Sequence, residues 1–519
     1  MIGVLAGYKD QYARDLVLAA LRRSVSASLA ALIGLADLTM YDVTLAISPD
    51  EQMGEALLRW LEIAPRKLII FGHLPACFKA RCGLTEGSWP EDDVAWARSP
   101  AAASYHSAES PAGVRYQPAA APLGAGDWSR ALERFDFTDE WNNLAFGAIR
   151  ADGSLWALAE PLHAPAQTEL AHVAYNGASI ASYVALFDVG RSSVIWVNRP
   201  VGLIDSFEWR LLERYLAHWR HDSLPCVPVI SEIPWGYDAA ITMRLDCDED
   251  ITSARPLWLA YQALDVPLSL AIHTNNLYQD THNAFLNEFC QAGGALLSHT
   301  ATHAPNWGGS YDAALAEARQ SHDQILAVTN VSVAYAVSPF HQSPPYALQA
   351  LCDAGYSGCI GGIIRNDPEF LLARGGALAG LPAGFVGHSQ QTMLHGDCML
   401  AAGDPLAIFK AAFDRAFETQ TFFGYLDHPF SDRYAYGWAD EASRTKAHQD
   451  LIAYIRGQTR NPVFMNEIAA LDFLRARARI AFQHGEAGFS AMVPDVGCFS
   501  FGVEYRGGFE PLTDGVMLA

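Results

Sequence analysis

Residues 239–250 read Ala-Ala-Ile-Thr-Met-Arg-Leu-Asp-Cys-Asp-Glu-Asp, an apolar run that ends in four acidic residues within five positions. The apolar part predicts a β-strand. Clustered carboxylates repel one another unless a cation or a helix N-terminus offsets their charge. Because side chains two apart on a strand point the same way, Asp246 and Asp248 are expected to share one site. Glu249 and Asp250 are interpreted as caps of the following helix.

Strands and helices alternate along the chain from this run onward. The predicted strands are Ala239–Leu245, Pro267–Ile272, Ala295–Ser298, Ala334–Val337, Gly358–Ile360 and Phe422–Leu426. The predicted helices between them include Pro256–Leu264, Asn283–Ala292, Tyr311–Thr329 and Pro345–Ala354. This order predicts β/α units folded as a barrel or a doubly wound sheet. Active sites of such folds lie at the carboxyl ends of the strands, which is where the acidic residues fall.

The part of the chain before this run shows the same alternation. Its predicted strands are Ile2–Ala6, Asp42–Ile47, Lys67–Phe71 and Val194–Val197. Its predicted helices are Asp10–Arg23, Glu55–Ile63 and Ser206–Trp219. Residues 83–165 are interpreted as loops and short strands. We therefore predict a flavodoxin-like or amidotransferase-like α/β domain over residues 1–225. It is expected to be non-catalytic, because Cys77 does not lie in the Gly-x-Cys-x-Gly elbow of an amidotransferase nucleophile.

The remaining boundaries follow from turn residues. Three prolines and a glycine mark residues 225–236 as a linker. The second domain is predicted over residues 237–477. Residues 478–519 are predicted to form a short β extension, either an appendage or a cover on the barrel.

Composition excludes several classes of protein. Half of the residues are hydrophobic and 18% are charged, so a large buried core is expected. The net charge of −22 argues against nucleic acid as a partner, because phosphate binding needs Lys and Arg. The nine cysteines contain no CxxC pair, which argues against a disulfide framework or a cysteine zinc site.

The start of the chain bears on its location. It opens Met-Ile-Gly-Val-Leu-Ala-Gly, which predicts a strand rather than the charged start of a signal peptide. No run of 18 residues is both apolar and uncharged, so no transmembrane segment is predicted. Both observations favour a cytoplasmic protein. Arg22 and Arg23 before the apolar residues 24–36 resemble a twin-arginine export signal, so a periplasmic or secreted location stays open if the true start lies near there.

The second candidate motif is Ser-His-Thr-Ala-Thr-His at residues 298–303, directly after a predicted strand. Its H-x3-H spacing places His299 and His303 on one face if the segment forms a helical turn. Two histidines and a carboxylate commonly bind zinc, iron, cobalt or nickel and leave positions open for substrate. With 17 histidines in the chain such a pair also arises by chance, but its combination with the acidic strand end favours a metal site.

Further motifs follow in order along the second predicted domain. They are Ala-Gly-Tyr at 354–356, Tyr-Leu-Asp-His at 425–428 and Phe-Met-Asn-Glu at 464–467. Together with residues 246–248 and 298–303, they resemble the NodB-like polysaccharide deacetylases, which are carbohydrate esterase family four and its relatives. The resemblance implies a distorted (β/α) barrel of the NodB-homology type.

The resemblance also implies roles for individual residues. Asp248, His299 and His303 would bind one divalent metal, zinc first, with cobalt or nickel as alternatives. Asp246 would be the general base and His428 the general acid. The metal would activate water and polarise the acetyl carbonyl.

One motif departs from the family pattern. The family has an Arg-x-Pro segment whose arginine orients the catalytic aspartate, whereas residues 337–341 here read Val-Ser-Pro-Phe-His. We expect Arg244 to take over that pairing, because it lies on the same strand face as Asp246. A backbone N–H near Phe340 is expected to hold the oxyanion. Phe340 and His341 are predicted substrate contacts, although His341 can equally pack in the core.

Aromatic and histidine residues near these motifs are further candidates. Tyr434, Tyr436 and Trp438 would form either a sugar-stacking wall or part of the core at the barrel rim, and we predict Tyr434 and Trp438 as substrate contacts. His388 and His395 are interpreted as ordinary surface or core residues.

These observations lead to one expected function and two alternatives. The resemblance implies a metal-dependent deacetylase that hydrolyses the N-acetyl group of an amino sugar in a polysaccharide or a saccharide precursor. A metallohydrolase of a non-sugar C–N bond, such as a cyclic amide or formamide, is the first alternative. A non-catalytic carbohydrate-binding protein is the second, and the intact set of motif residues argues against it. The oligomeric state is left open.

Overall fold

The computed structural model describes residues 1–89, 113–131, 134–135, 149–150, 158–175, 177–199, 206–277, 280–361, 374–388, 392–431, 434–485, 488–495 and 497–518. Much of the region interpreted as loops and short strands, residues 83–165, lies outside the described residues. Within these ranges no helix combines the length and the apolar character needed to cross a membrane.

The N-terminal part of the chain contains the first sheet and several short strands that lie outside it. Its strands are β1 (Ile2–Ala6), β2 (Ala30–Leu32), β3 (Val43–Ile47), β4 (Lys67–Phe71), β5 (Thr85–Glu86), β6 (Gly113–Tyr116), β7 (Ser129–Ala131), β8 (Arg134–Phe135), β9 (Ile149–Arg150), β10 (Leu162–His163), β11 (Glu169–Tyr175), β12 (Ala178–Val189) and β13 (Ser192–Val197). Its helices are α1 (Gln11–Ser24), α2 (Glu51–Ile63), α3 (Ala76–Cys82) and α4 (Ser206–Ala217). The main sheet has the order β2-β1-β3-β4-β13-β12-β11-β6-β7.

Two kinds of strand pairing meet in the first sheet. From β2 to β13 the strands are parallel, and β3, β4 and β13 are buried along their whole length, as expected for strands covered on both faces. From β13 to β7 the pairing is antiparallel. This antiparallel half was not anticipated from the sequence. The flavodoxin-like or amidotransferase-like assignment of residues 1–225 therefore stays a prediction.

The second part of the chain contains the sheet that carries the candidate site and, before it, one short strand that lies outside that sheet. Its strands are β14 (Val229–Ile230), β15 (Ala239–Cys247), β16 (Ser269–Ile272), β17 (Ala295–Ser298), β18 (Tyr335–Val337), β19 (Gly358–Ile360), β20 (Gly376–Ala377), β21 (Val386–Gly387), β22 (Thr392–Met393), β23 (Phe423–Asp427) and β24 (Pro462–Met465). Its helices are α5 (Arg255–Ala263), α6 (Asp280–Gln291), α7 (Tyr311–Thr329), α8 (Pro345–Asp353), α9 (Ala407–Thr419), α10 (Glu441–Gln458) and α11 (Glu467–Arg477).

This second sheet is almost entirely parallel. Its order is β20-β21-β19-β18-β17-β16-β15-β23-β22, with β24 paired to the first half of β15, and only β20 and β21 pair antiparallel. The predicted α/β fold with parallel sheets is therefore confirmed. Among the described residues no ladder joins β20 to β22, so closure of the sheet into a barrel stays a prediction.

Strand β15 shows how the sheet separates core from site. Met243, Leu245 and Cys247 pack in the hydrophobic core that the sheet forms with helices α5 to α10. Side chains alternate along a strand, so Arg244 and Asp246 lie on the opposite face. Both are fully buried there, and burial of two charged groups requires that they be paired.

The C-terminal extension packs against the first part of the chain. It contains β25 (Ala481–Gly485), β26 (Gly488–Met492), β27 (Phe501–Tyr505), β28 (Gly508–Leu512) and β29 (Met517–Leu518). β27 pairs with β14, which lies in the predicted linker, and the amide of Phe482 donates to Ser28 Oγ at 2.8 Å. One continuous hydrophobic cluster, here called the shared core, contains residues of all three predicted parts, among them Ile2, Tyr215, Phe473 and Phe501.

A buried set of charges joins the same three parts. Arg210 and Glu213 lie on α4, Arg374 precedes β20, and Glu504 lies on β27; these four residues are called the interface cluster. Glu213 receives two hydrogen bonds from Arg374, at 2.9 and 2.7 Å, and lies 3.2 Å from Arg210. Arg210 also pairs with Glu504, whose other oxygen lies 2.8 Å from His218 Nε2. Each carboxylate of the cluster thus faces at least one guanidinium.

Candidate metal centre

The predicted site residues lie at the carboxyl ends of neighbouring parallel strands. Asp246 lies on β15 and Asp248 directly follows that strand. His299 directly follows β17, and His428 directly follows β23. Because β17, β16, β15 and β23 are adjacent and parallel, their carboxyl ends meet at one edge of the sheet.

Three side chains converge at this edge, and they are called the metal centre: Asp248, His299 and His303. The Nε2 atoms of His299 and His303 lie 3.2 and 3.4 Å from Asp248 Oδ1, and 3.1 Å from each other. The candidate ligand atoms of the three residues all lie within 4.8 Å of one another. The fold therefore brings together the residues that the sequence singled out as metal ligands.

The segment between the two histidines is not a helical turn. Thr300 and His303 have left-handed φ angles of 65° and 52°. The amide of His303 donates to Thr300 Oγ1 at 3.0 Å, and Glu317 of α7 accepts the amides of Ala301 and Thr302, both at 2.8 Å. The condition of a helical turn is therefore not met, because side-chain acceptors replace the backbone bonds of a helix here. The two imidazoles nevertheless face the same carboxylate.

The chemistry of the donor set fits a divalent cation. His299 Nδ1 lies 3.1 Å from the carbonyl oxygen of Val337. A carbonyl only accepts, so Nδ1 carries a proton, and in the neutral ring Nε2 presents a lone pair towards Asp248. Asp248 Oδ1 is buried and receives no hydrogen bond of acceptable geometry. Two imidazole nitrogens and one carboxylate suit zinc, cobalt or nickel, with positions left for other ligands.

The electrostatics of the centre favour positive charge. Burial, followed by the neighbouring His299, lowers the pKa of His303 to about 4, so this ring is neutral at neutral pH, the form that binds metals. Burial alone would raise the pKa of Asp248, but His299 and His428 outweigh it and hold the pKa well below its usual range. For His299, Asp246 and Asp248 outweigh burial and raise the pKa. The carboxylates of Asp246 and Asp248 thus attract either a proton or a metal cation.

Asp246 is held by Arg244. Arg244 Nε donates to Asp246 Oδ1 at 2.7 Å and Nη2 to Oδ2 at 3.3 Å, a two-point contact between buried groups. Burial by itself raises the pKa of Asp246, but the charge of Arg244, with those of His299 and His428, lowers it overall. Asp246 is therefore a carboxylate at neutral pH. The contact expected from the shared strand face is present.

His428 is fixed through both its backbone and its ring. Its amide donates to Asp427 Oδ1 at 2.8 Å, and its carbonyl accepts from Arg444 at 2.8 Å. Arg444 and His448 in turn hold Asp427 Oδ2, at 2.6 and 3.0 Å. The ring Nδ1 lies 2.9 Å from His395 Nε2, while Nε2 lies 3.3 Å from Asp248 Oδ2. The ring is thereby directed at the metal centre.

Sequence reasoning missed His395. It was interpreted as an ordinary residue, yet it is buried beside His428, and burial, followed by the charge of His428, lowers its pKa to about 3. It reaches this place because the two-residue strand β22 pairs with β23, and so short a strand leaves no periodic signal. His388, interpreted in the same way, is buried against Glu467 at 2.7 Å, away from the site.

His273 is a second histidine that the motifs did not reveal. It follows β16, between the strands that carry Asp248 and His299. Its Nδ1 lies 2.8 Å from the backbone carbonyl of Asp248, and Asn276 donates to the same carbonyl at 2.7 Å. Its Nε2 is buried, has no hydrogen-bond partner in the described part of the chain, and belongs to a residue that lines the cavity. His273 therefore fixes the backbone of a candidate metal ligand.

A cavity of about 540 Å³ opens onto the metal centre. One side is the Phe340 wall, formed by Phe340 and His341 in the turn after β18. Both residues have left-handed φ angles, 51° and 54°, and the Phe340 ring lies 4.5 Å from that of His303. His341 is only 8% exposed, and its Nδ1 has no hydrogen-bond partner among the described residues. Both predicted substrate contacts thus line the cavity.

A second side is the tyrosine wall, formed by Tyr434 and Tyr436. The ring of Tyr436 stacks on His428, with centroids 4.3 Å apart and an angle of 17° between the planes. Tyr434, one of the predicted contacts, lines the cavity. Trp438 does not: it is buried in the core of the second sheet, which agrees with the core alternative and not with its prediction as a substrate contact.

Two glycines hold the tyrosine wall in place. The amide of Gly396 donates to the carbonyl of Tyr436 at 2.9 Å. A Cβ atom on Gly437, whose φ is 76°, would lie 2.0 Å from the backbone nitrogen of Asp397, and one on Gly396 would lie 2.4 Å from the carbonyl carbon of Gly437. Only glycines allow the two loops to cross this closely.

Glu249 and Asp397 also line the cavity, although neither was predicted as a site residue. Asp250 caps the following 3₁₀ turn as expected and accepts the amide of Thr252 at 3.0 Å. Glu249, interpreted as a second cap, instead lines the cavity. Asp397 lines it as well and is exposed. The acidic character of the site therefore extends beyond the metal centre to other parts of the cavity lining.

Comparisons with known proteins give structural matches only. No family model matches the sequence, and a search of curated proteins also finds no match. The fold is similar to a proposed polysaccharide deacetylase from Mycobacterium smegmatis, with a TM-score of 0.38, 13% identity, and coverage of 47% of this chain and 93% of that one. It is similar to Puue allantoinase (TM-score 0.36, 12% identity, 46% and 91% coverage). It is also similar to a chitin deacetylase from the fungal pathogen Colletotrichum lindemuthianum (TM-score 0.31, 13% identity, 45% and 89% coverage).

Proposed function

We propose that this protein is a metal-dependent hydrolase that removes the N-acetyl group of an amino sugar, in a polysaccharide or a saccharide precursor. The observation that carries the proposal is the metal centre itself. Two imidazole nitrogens converge on a buried carboxylate oxygen that receives no hydrogen bond, at the floor of an open cavity. A carboxylate held by an arginine and an oriented histidine stand beside it, which is the set of groups that amide hydrolysis needs.

Asp248, His299 and His303 would hold the metal, zinc first and cobalt or nickel as alternatives. A divalent ion held there supplies Lewis-acid activation of water and of the acyl carbonyl. Asp246 would act as the general base, because its lowered pKa keeps it ionised at neutral pH. Arg244 fixes the direction of that carboxylate through its two-point contact.

The leaving amine needs a proton before the C–N bond can break. His428 would supply it from Nε2, the ring nitrogen that faces the metal centre, while His395 holds Nδ1 and positions the ring. The backbone N–H of Phe340 would help to stabilise the oxyanion, since it belongs to the turn that lines the cavity next to His303.

The first test is metal content measured by plasma mass spectrometry. We expect about one zinc, cobalt or nickel ion per chain in the wild type and almost none in a His299→Ala/His303→Ala double variant. A matched control, His221→Ala/His322→Ala, removes two partly exposed histidines outside the site and should keep the metal. A wild-type protein that neither contains nor takes up zinc would overturn the proposal.

The second test is acetate release by the metal-loaded protein from N-acetylglucosamine oligomers. Release that disappears in the double variant supports a deacetylase. Metal binding without acetate release from any N-acetylated sugar would instead favour a hydrolase of a non-sugar C–N bond, because cyclic amides and formamides give no acetate. Retained carbohydrate binding with no hydrolysis of either kind would favour the non-catalytic alternative.

A further inference from the structure

His428 stands at the end of a series of buried polar side chains that runs into the core of the second sheet. The series is here called the support network and has five members: Tyr261, Tyr425, Asp427, Arg444 and His448. Each member is at most 1% exposed. One lies on α5, two lie on β23 and two lie on α10. Among the described residues that line the cavity, none belongs to this network, so it supports the site from the core side.

The support network holds the backbone of His428 at two points. The amide of His428 donates to Asp427 Oδ1 at 2.8 Å, and Arg444 Nη2 donates to the carbonyl oxygen of His428, also at 2.8 Å. Arg444 Nε and His448 Nε2 lie 2.6 and 3.0 Å from Asp427 Oδ2, so the carboxylate that receives the amide is itself held. Because the N–H and the C=O of His428 are both bound, the direction in which its side chain leaves the backbone is fixed.

The positions of the hydrogens along the network follow from the groups themselves. Burial alone would raise the pKa of Asp427, but Arg444 and His448 outweigh it and lower the pKa, so Asp427 is a carboxylate and only accepts. His448 therefore carries a proton on Nε2. Burial outweighs Asp427 and lowers the pKa of His448, so its ring is neutral at neutral pH and its Nδ1 accepts. Tyr261 donates to this Nδ1 at 2.8 Å, and Tyr425 donates to the Tyr261 oxygen at 2.8 Å. Each hydrogen bond thus sets the direction of the next one.

Stability alone does not explain why these polar groups lie in the core. The network is surrounded by apolar side chains, since Tyr261 and Tyr425 belong to the same hydrophobic cluster as Phe413 and Leu451. The attraction within a buried ion pair is largely offset by the cost of removing both charges from water, and apolar side chains of similar volume are often at least as stabilising. The direction that the network gives to His428 is a better reason for its presence.

The direction of His428 matters for one step of the proposed reaction, and the argument from here rests on the proposed function. An amine does not leave as an anion, so the C–N bond breaks only when His428 delivers a proton at the right distance and angle. The phenolate of an activated ester leaves without that proton. Attack on the carbonyl, by contrast, depends on Asp246 and the metal centre, whose residues lie on β15 or directly after β15 and β17.

We propose that the support network is a positioning device for His428, and that through His428 it sets the preference of the site for amides over esters. His428 touches the reacting atoms, whereas the five network residues act through it. Loosening the network weakens the delivery of the proton and leaves the metal centre and the attack on the carbonyl intact. It therefore slows the cleavage of an amide and spares the cleavage of an activated ester.

Two acetyl substrates of the zinc-loaded full chain test the proposal: an N-acetylglucosamine oligomer, which releases an amine, and 4-nitrophenyl acetate, which releases a phenolate. His448→Leu removes the donor to Asp427 and the acceptor for Tyr261. We expect kcat for the amide to fall about thirtyfold with unchanged KM and zinc content, because a misplaced acid loses most of its contribution. Ester hydrolysis, corrected for the rate of the His299→Ala/His303→Ala variant, should change by less than about twofold.

Further variants separate the positioning of His428 from packing. His448→Gln keeps an N–H donor for Asp427 and should retain most of the amide activity. Tyr261→Phe removes one hydroxyl of the network and should lower kcat for the amide about threefold. The matched control, Tyr215→Phe, removes a buried hydroxyl that donates to the carbonyl of Ser193 in the first part of the chain, and it should leave both rates unchanged. Equal losses for amide and ester in His448→Leu, or no loss for the amide, would overturn the inference and leave the proposed function intact.

Failure of the proposed function has a different signature. If the wild type releases acetate from no N-acetylated sugar, the position of the His428 ring is still measurable by NMR of the zinc-loaded protein labelled with ¹⁵N-histidine. A single sharp His428 ring signal that broadens or splits in His448→Leu, but not in Tyr215→Phe, would uphold the positioning role of the support network. A His428 signal that is the same in the wild type and in His448→Leu would overturn it.

Discussion

The interface cluster and the metal centre are both buried groups of charge, but they are balanced in different ways. In the interface cluster, Glu213 receives two hydrogen bonds from Arg374. In the metal centre, Asp248 Oδ1 faces two imidazole nitrogens and receives no hydrogen bond of acceptable geometry. The first group is complete within the chain and joins its parts. The second depends on histidines whose pKa the carboxylates raise, and a metal ion could take the place of their protons.

The largest effect should come from the metal centre. Asp248→Ala removes one ligand and the charge that attracts the cation, so we expect activity to fall by at least ~10³-fold, on the order of 4 kcal/mol of transition-state stabilisation. The free energy of unfolding of the metal-free protein should fall by only about 1 kcal/mol, because His299 and His428 can give up their protons once the carboxylate that raises their pKa is gone. Urea unfolding in the presence of a chelator checks this. A loss of stability as large as the one expected for Arg374→Met would mean that the metal centre, like the interface cluster, stabilises the fold without a ligand.

The interface cluster should behave in the opposite way. Arg374→Met leaves Glu213 buried with Arg210 as its charged partner and a hydrogen bond from Ser24, so we expect a loss of about 3 kcal/mol in the free energy of unfolding, with zinc content and activity per folded molecule retained. Urea unfolding measures the loss, and a Glu213→Leu/Arg374→Met double variant should regain much of it. Arg220→Met, which breaks an exposed pair with Asp188, is the matched control and should cost less than about 1 kcal/mol.

Acid should weaken the interface cluster through Glu504. Burial raises the pKa of this carboxyl, but His218 and Arg210 outweigh burial and lower the pKa from 4.5 to about 2. A lowered pKa in the folded state gives stability that is present above pH 4.5 and is lost as the pH falls towards 2. We expect a loss of roughly 2 kcal/mol over that window, after allowance for partial exposure. Glu504→Gln should remove this part of the pH dependence, and an unchanged profile in that variant would contradict the assignment.

The smallest effect is expected at the contact between Arg244 and Asp246. Arg244→Lys keeps the charge beside Asp246 but loses the two-point geometry, so we expect kcat to fall about tenfold with unchanged metal content. Arg255→Lys, in an exposed pair with Glu288, should leave kcat unchanged. Full activity in Arg244→Lys would mean that Asp246 needs only a positive charge beside it and not the two hydrogen bonds from Arg244.

The sequence predicted six of the ten strands of the second sheet well, namely β15 to β19 and β23. β17 and β19 have the predicted bounds, and the other predicted strands are shifted by one or two residues. The reason is physical: buried parallel strands are short apolar runs between turn residues, and polar groups follow where each strand ends. Asp248 and His299 could be placed at one edge for that reason, whereas His428 was identified through the resemblance of residues 425–428 to a family motif. Their convergence needed only the rule that parallel strands end together.

The sequence did not reveal features that depend on contacts across the fold. The long strands β11 and β12 pair antiparallel and were not predicted. The Asn-Gly pair at 176–177 of the sequence is a hairpin signal, but the prediction relied on β/α alternation alone. His395 joins the site through a strand of only two residues. Trp438 resembles a sugar-stacking residue in sequence but is buried. In each case the deciding contact is distant in sequence.

The shared core has a consequence for inheritance as well as for folding. Its apolar side chains come from the start, the middle and the end of the chain, and residues of the second sheet such as Ala240, Phe422 and Met465 belong to it. A gene fragment limited to residues 237–477 would encode a product with that surface uncovered, which is prone to aggregate. The second sheet of this protein is therefore not a portable module: we expect recombination that separated it from the N-terminal part to lose the folded product, so that the two parts are inherited together.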